Sequence, residues 1–128
     1  MASVVLDASA LIALFRDEPG ADMVATFAGD AVLSTVNLQE VVKALLRRGV
    51  PLTIIREMID ALHLDIRPHS AEDAFAAAAL HEVTEQFGTG LGDRSCIALA
   101  ISVGLPAMTT DRVWAELKIP GFTVKLAR

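Results

Sequence analysis

Short, unbroken apolar runs alternate along this chain with longer stretches in which apolar residues recur every three or four positions. Few folds accommodate that double rhythm. Ser3-Val4-Val5-Leu6 stops at Asp7, and from Ser9 to Arg16 the residues Ala10, Leu11, Leu14 and Phe15 fall at helical spacing before Pro19-Gly20. This reads as a strand followed by a helix. Val24 and Phe27 place a short helix over Ala21 to Phe27, and Ala31 to Ser34 is the next strand. A helix from Asn37 to Arg48 puts Leu38, Val41, Val42, Leu45 and Leu46 on one face, with Gly49 as its stop. Pro51 begins a further helix reaching His63, and Leu64 to Arg67 is a strand. Ser70 and Asp73 have capping-box spacing, predicting a helix to about Phe87, where Gly88-Thr89-Gly90 ends it. Gly92-Asp93 opens a helix closed by Gly104, Ala107 to Thr109 is a strand, Asp111 to Leu117 a short helix, and Phe122 to Leu126 the last strand. Strands joined through helices require crossovers. The expected architecture is therefore α/β, a three-layer sandwich with a mainly parallel central sheet. No repeat, low-complexity stretch or charge block divides residues 1–128, so one domain is expected.

Hydrophobic residues make up 53% of the chain and the mean hydropathy is +0.49. The longest apolar runs, Ala74 to Leu80 and Cys96 to Ile101, are still far short of the roughly 20 residues of a membrane span. No transmembrane helix is expected. The N-terminal stretch lacks a basic segment and contains Asp7, unlike a secretory leader. A single cysteine, Cys96, excludes an internal disulfide and suits a reducing, cytoplasmic setting. So much apolar character in 128 residues leads us to expect a partner over part of the surface. Eleven basic against sixteen acidic side chains give a net charge of −5, which opposes nucleic-acid binding unless the acids are gathered in one place.

The layout does gather them. Asp7, Glu40, Asp93 and Asp111 each fall at the C-terminal end of a strand or near the start of the following helix. In parallel sheets that edge is where ligands bind. Taken singly, Asp93 and Asp111 read as helix caps, and Glu40 as the partner of Asn37 in a capping box. Asp7 has no such duty in this reading, because Ser9 is the better cap. Two carboxylates about 5 Å apart repel by roughly 3 kcal/mol at an effective dielectric near 20, so a cluster needs a cation or protons. Oxygen donors without Cys or well-spaced His point to Mg²⁺ or Mn²⁺, which suit hydrolysis of phosphate esters.

Four segments, Asp7-Ala8-Ser9, Asn37-Leu38-Gln39-Glu40-Val41, Leu91 to Ala100 and Thr109-Thr110-Asp111-Arg112-Val113-Trp114, together resemble the PIN-domain ribonucleases, and within them the VapC toxins of type II toxin–antitoxin systems. The resemblance spans essentially the whole chain, with Gly92 to Ala100 its most specific part. It implies that Asp7, Glu40, Asp93 and Asp111 form an acidic quartet around one or two Mg²⁺ or Mn²⁺ ions, supported by Ser9 and Thr110. It also implies RNA cleavage by metal-activated water, leaving 5′-phosphate and 3′-hydroxyl ends. Homodimers and a small antitoxin lying in an apolar groove near the first helices are the partners it implies.

Arg94, Arg112, Lys43 and Arg16 are candidate RNA contacts, and read equally as solvated surface charges. His63, His69 and His81 allow a metal-independent acid–base reading, against which stand their edge and helix positions. Cys96 and Trp114 read as core residues, and with aromatics at 5% stacking platforms cannot dominate recognition. Two alternatives remain: a housekeeping PIN-type RNA-processing nuclease, and a receiver-like Mg²⁺-binding signalling domain. The receiver reading lacks the paired acids after the first strand, since Asp7 is followed by Ala8 and Ser9. Setting four acids aside in a metal site would leave the remaining surface near about −1, so the charge objection loses its force.

Overall fold

The structure, a computed structural model, describes residues 1–128. Five strands, β1 (Val4–Leu6), β2 (Ala31–Ser34), β3 (Asp65–Arg67), β4 (Ala107–Thr109) and β5 (Val124–Leu126), form one sheet in the order β3-β2-β1-β4-β5. Every pairing is parallel. The order separates this sheet from the receiver arrangement, 2-1-3-4-5, and corrects that alternative.

Side chains alternate across the sheet as strand geometry requires. Val4, Leu6, Ala31, Leu33 and Met108 face a core shared with α1 (Ala8–Phe15), α2 (Ala21–Ala28), α3 (Thr35–Arg47) and α4 (Leu52–Asp60). Val5, Val32 and Ala107 face the opposite way, toward Cys96, Ile97 and Ala100 of α7 (Leu91–Val103) and toward Trp114. α5 (Ala71–Ala79) packs on α7. Three layers follow directly from the two faces. β1 is fully buried because it is central and covered on both sides.

The chain leaves β1 toward β2 and β3, then returns to place β4 on the other side of β1 and runs outward to β5. Its direction reverses between β1 and β4. Their C-terminal ends therefore flank the crevice where parallel sheets bind ligands.

Several boundaries differ from expectation. The helix expected from Ser70 to about Phe87 breaks at Leu80, into α5, a single turn α6 (His81–Thr84) and a 3₁₀ turn over Glu85–Phe87. At the break the buried Thr84 hydroxyl donates to the Leu80 carbonyl at 2.7 Å, and the Leu80 N–H turns back to Ala77, tightening the chain. The Ser70–Asp73 capping box is present. The expected helix after Asp111 is a 3₁₀ turn, Arg112–Glu116. α3 starts at Thr35, two residues early, because Ser34 Oγ accepts from Val36 N–H as its cap. Asn37 and Glu40 thus lie inside the helix and form no capping box.

Candidate active site

Asp7 immediately follows β1 and is 4% exposed. The sequence reading gave it no local duty, and the structure corrects this: Asp7 caps α1, its Oδ1 accepting from Ala10 N–H at 2.9 Å. Leu6 pairs with Met108, so the next step along the two strands sets Asp7 beside Thr109 on the α7 side of the sheet. Thr109 Oγ1 donates to Asp7 Oδ2 at 2.5 Å, and Ser9 Oγ lies 2.7 and 2.9 Å from the two carboxylate oxygens. Thr110 contributes its backbone N–H, to Ser9 Oγ at 3.1 Å. The hydroxyl that reaches Asp7 is thus Thr109's, one residue before the position expected.

Asp93 stands in the third position of α7 and reaches back to accept from Gly90 N–H at 3.0 Å. Asp111, at the exposed end of the loop after β4, accepts from Val113 N–H at 3.0 Å. Glu40 projects from α3, and Asn37 Nδ2 joins it to the first turn of α7 by donating to Glu40 Oε1 at 2.8 Å and to the Gly92 carbonyl at 3.0 Å.

The electrostatics tie these groups together. Burial raises Asp7 to about 6, against hydrogen bonds from Thr109, Ala10 and Ser9 that lower it, and the charge of Asp93 pushes it further up. Burial also raises Asp93, with the Gly90 N–H opposing, Asp111 adding to the rise and Arg94 opposing it. Beneath them the fully buried Cys96 thiol is pushed well above its ordinary value, first by burial and then by Asp7, Asp93 and Glu40. Cys96 is a core residue, as is Trp114. Asp93 thus stands within electrostatic reach of Asp7 and Asp111, and Glu40 is tied to the first turn of the same helix by Asn37. None of these carboxylates is ion-paired, for the three salt bridges join Arg16 to Glu18, Arg67 to Asp65 and His81 to Glu85.

As the side chains stand, no three acidic, histidine or cysteine groups converge closely enough to enclose an ion. The donor set nonetheless fits a hard divalent cation: it offers oxygen alone, carries uncompensated charge, and includes a buried carboxylate whose pKa burial raises to about 6. The cationic candidates are distributed unevenly. Arg94 donates to the Thr89 carbonyl at 3.0 Å and lines a cavity of about 430 Å³ with His69 and His81, between α5 and α7. Arg112 is exposed and bonds the Arg128 carbonyl, and Lys43 is exposed one turn beyond Glu40. Arg16 is engaged with Glu18 at 2.7 Å. His63 lies before β3, at the opposite edge of the sheet.

Residues 4–120 match the family model for the PIN domain. Searched against curated proteins, the sequence finds no significant match. Among solved structures, a DNA-bound VapBC from Salmonella typhimurium superposes with a TM-score of 0.73 at 17% identity, covering 100% of both chains. A toxin–antitoxin complex from Klebsiella pneumoniae gives 0.73 at 21% identity, over 95% of this chain and 97% of that one. VapBC-5 from Mycobacterium tuberculosis, described as a member of the VapBC family of toxin–antitoxin systems, gives 0.56 at 24% identity, over 100% and 99%. At these identities the likeness is one of fold.

Proposed function

Because this chain belongs to the PIN domain family, we propose that it is the toxin of a type II toxin–antitoxin pair, acting as a Mg²⁺- or Mn²⁺-dependent endoribonuclease. The observation that carries this reading is the crevice between β1 and β4, where Asp7 follows β1, Asp111 follows β4, and Asp93 and the Asn37-held Glu40 stand on the adjoining α7 and α3, none of them ion-paired.

In this reading Asp7, Asp93 and Asp111 would hold the ion, and Glu40 would complete the set or orient the attacking water. When bound, the ion would lower the pKa of a water so that it can give up a proton and attack, and would offset charge developing on the phosphate oxygens. The chain's own contribution is to fix the donors. Ser9 and Thr109 hold the Asp7 carboxylate, the Gly90 N–H holds Asp93, and the Val113 N–H holds Asp111. Arg94, Arg112 and Lys43 would meet the phosphates of the RNA, with Arg16 joining them only by leaving Glu18.

An antitoxin partner is supported by the structural likeness to VapBC complexes. The chain offers apolar surface for it: Leu38, Val42, Leu52, Ile55, Ile59 and Ile66 line a groove between α3, α4 and β3. Phe75 of α5 and Leu91 of α7 are exposed apolar side chains that a homodimer would cover. No helix is long and apolar enough to cross a membrane.

Incubating the purified chain with total cellular RNA tests the chemistry. Cleavage is expected with Mn²⁺, with loss on chelation and in Asp93→Asn; equal cleavage with and without chelator would overturn the metal mechanism. Growth arrest on expression of the parent, and none with Asp93→Asn, separates a toxin from a housekeeping nuclease.

A further inference from the structure

Asn37 is buried, 1% exposed, in the interior of α3. Both hydrogens of its amide are used, one on Glu40 Oε1 and one on the Gly92 carbonyl, while its Oδ1 has no partner. A buried acceptor without a donor costs stability, and an apolar residue of similar size would avoid that cost. The side chain is therefore poorly explained as core packing. Its donors instead connect the one carboxylate that α3 contributes to the residue preceding Asp93.

Gly92 makes the complementary statement. It is buried, and a Cβ built on it would overlap both oxygens and the Cδ of Glu40. The Glu40 carboxylate thus occupies the space that any other residue at position 92 would fill. The amide bridge and the missing side chain at position 92 bear on the same carboxylate, and together they bring Glu40 against the first turn of α7.

We infer that Asn37 is a positioning residue for Glu40, and that Gly92 is the seat into which Asn37 holds that carboxylate. The inference rests on the nuclease reading for its functional meaning, and on geometry for the clamp itself. A Glu on an exposed helix face has three side-chain torsions to fix. Asn37 fixes its end through one hydrogen bond and ties that end to the helix bearing Asp93 through the other. That amide thereby ties the Glu40 carboxylate to the first turn of α7.

The test uses Asn37→Ala, Glu40→Ala and Gly92→Ala, singly and in the pairs that include Glu40→Ala. For RNA cleavage, Asn37→Ala is expected to lower kcat by about ten- to a hundredfold with KM near the parent's. It should add little further loss once Glu40 is alanine, because both changes remove one arrangement. Full kcat in Asn37→Ala, or a loss that multiplies with that of Glu40→Ala, would overturn the positioning role. Thermal unfolding gives a readout independent of cleavage. Gly92→Ala should lower the unfolding midpoint of the parent and lower it much less in Glu40→Ala, where the overlap is gone; equal losses would overturn the clamp. Should Glu40→Ala cleave like the parent, the nuclease role given to Glu40 falls, and the thermal cycle still decides the contact.

Discussion

Asp7 takes its charge at a cost. Folding makes its proton harder to lose than in the unfolded chain, because burial outweighs the hydrogen bonds from Thr109, Ala10 and Ser9. The sign follows: the stabilisation is fully present below the ordinary carboxylate value near 4 and is lost as the pH rises through about 6. The whole effect is roughly 3 kcal/mol, two units at 1.36 kcal/mol each. Asp7→Asn, neutral throughout and still able to accept from Ala10, should therefore be more stable than the parent at pH 8 without divalent ions, and about equal at pH 4. Chemical denaturation at the two pH values checks this; parallel pH dependence in both proteins would refute it. Why Asp7 was misread is physical. Asp7 and Ser9 are both good caps, and the choice is settled by the Ser9 hydroxyl, which bonds Asp7 and lies 3.2 Å from Thr109 Oγ1, a contact across 100 residues, while α1 starts at Ala8. The pairing of β1 with β4 selects Thr109 over Thr110, since only one of two adjacent hydroxyls can face the α7 side. Asn37 gave a signal, the i to i+3 spacing to Glu40, but its second bond goes to Gly92, 55 residues away.

Elements were legible where a local pattern matched what tertiary packing rewards. β2 and β4 lie at their expected residues, and the apolar stripe of α3 contributes Val41 and Leu45 to the core. The start of α3 was not legible, because Ser34 both ends β2 and caps the helix, leaving no loop to mark the junction. Ser34→Ala removes that cap and should cost about 1 kcal/mol, read from the denaturation midpoint. The break at Leu80 was hidden for a different reason. Alanine favours helix everywhere, so the run from Ala74 to Ala79 carries no punctuation, and the turn is set by Thr84 bonding backward.

For the whole molecule, the alternation of strands and helices gave the layered α/β class but not the strand order, because each crossover is locally alike whichever side it takes. The order is what puts Asp7 and Asp111 beyond the C-terminal ends of neighbouring strands. With four like charges unpaired there, a divalent ion that binds the folded chain and not the unfolded one must stabilise it. Mn²⁺ should raise the unfolding midpoint at pH 7.5 in the parent and fail to do so in Asp93→Asn; an equal rise in both would place the ion elsewhere.

The central place of β1 also bears on how the chain is made. β1 is synthesised about a hundred residues before its neighbour β4, and Asp7 waits for Thr109 to hold it. Until then the growing chain has a first strand without one neighbour and an acidic set lacking Asp111. On the proposed function, a chain interrupted before that point lacks both the Thr109 hydroxyl and Asp111, so the carboxylate set is completed only when β4 takes its place beside β1.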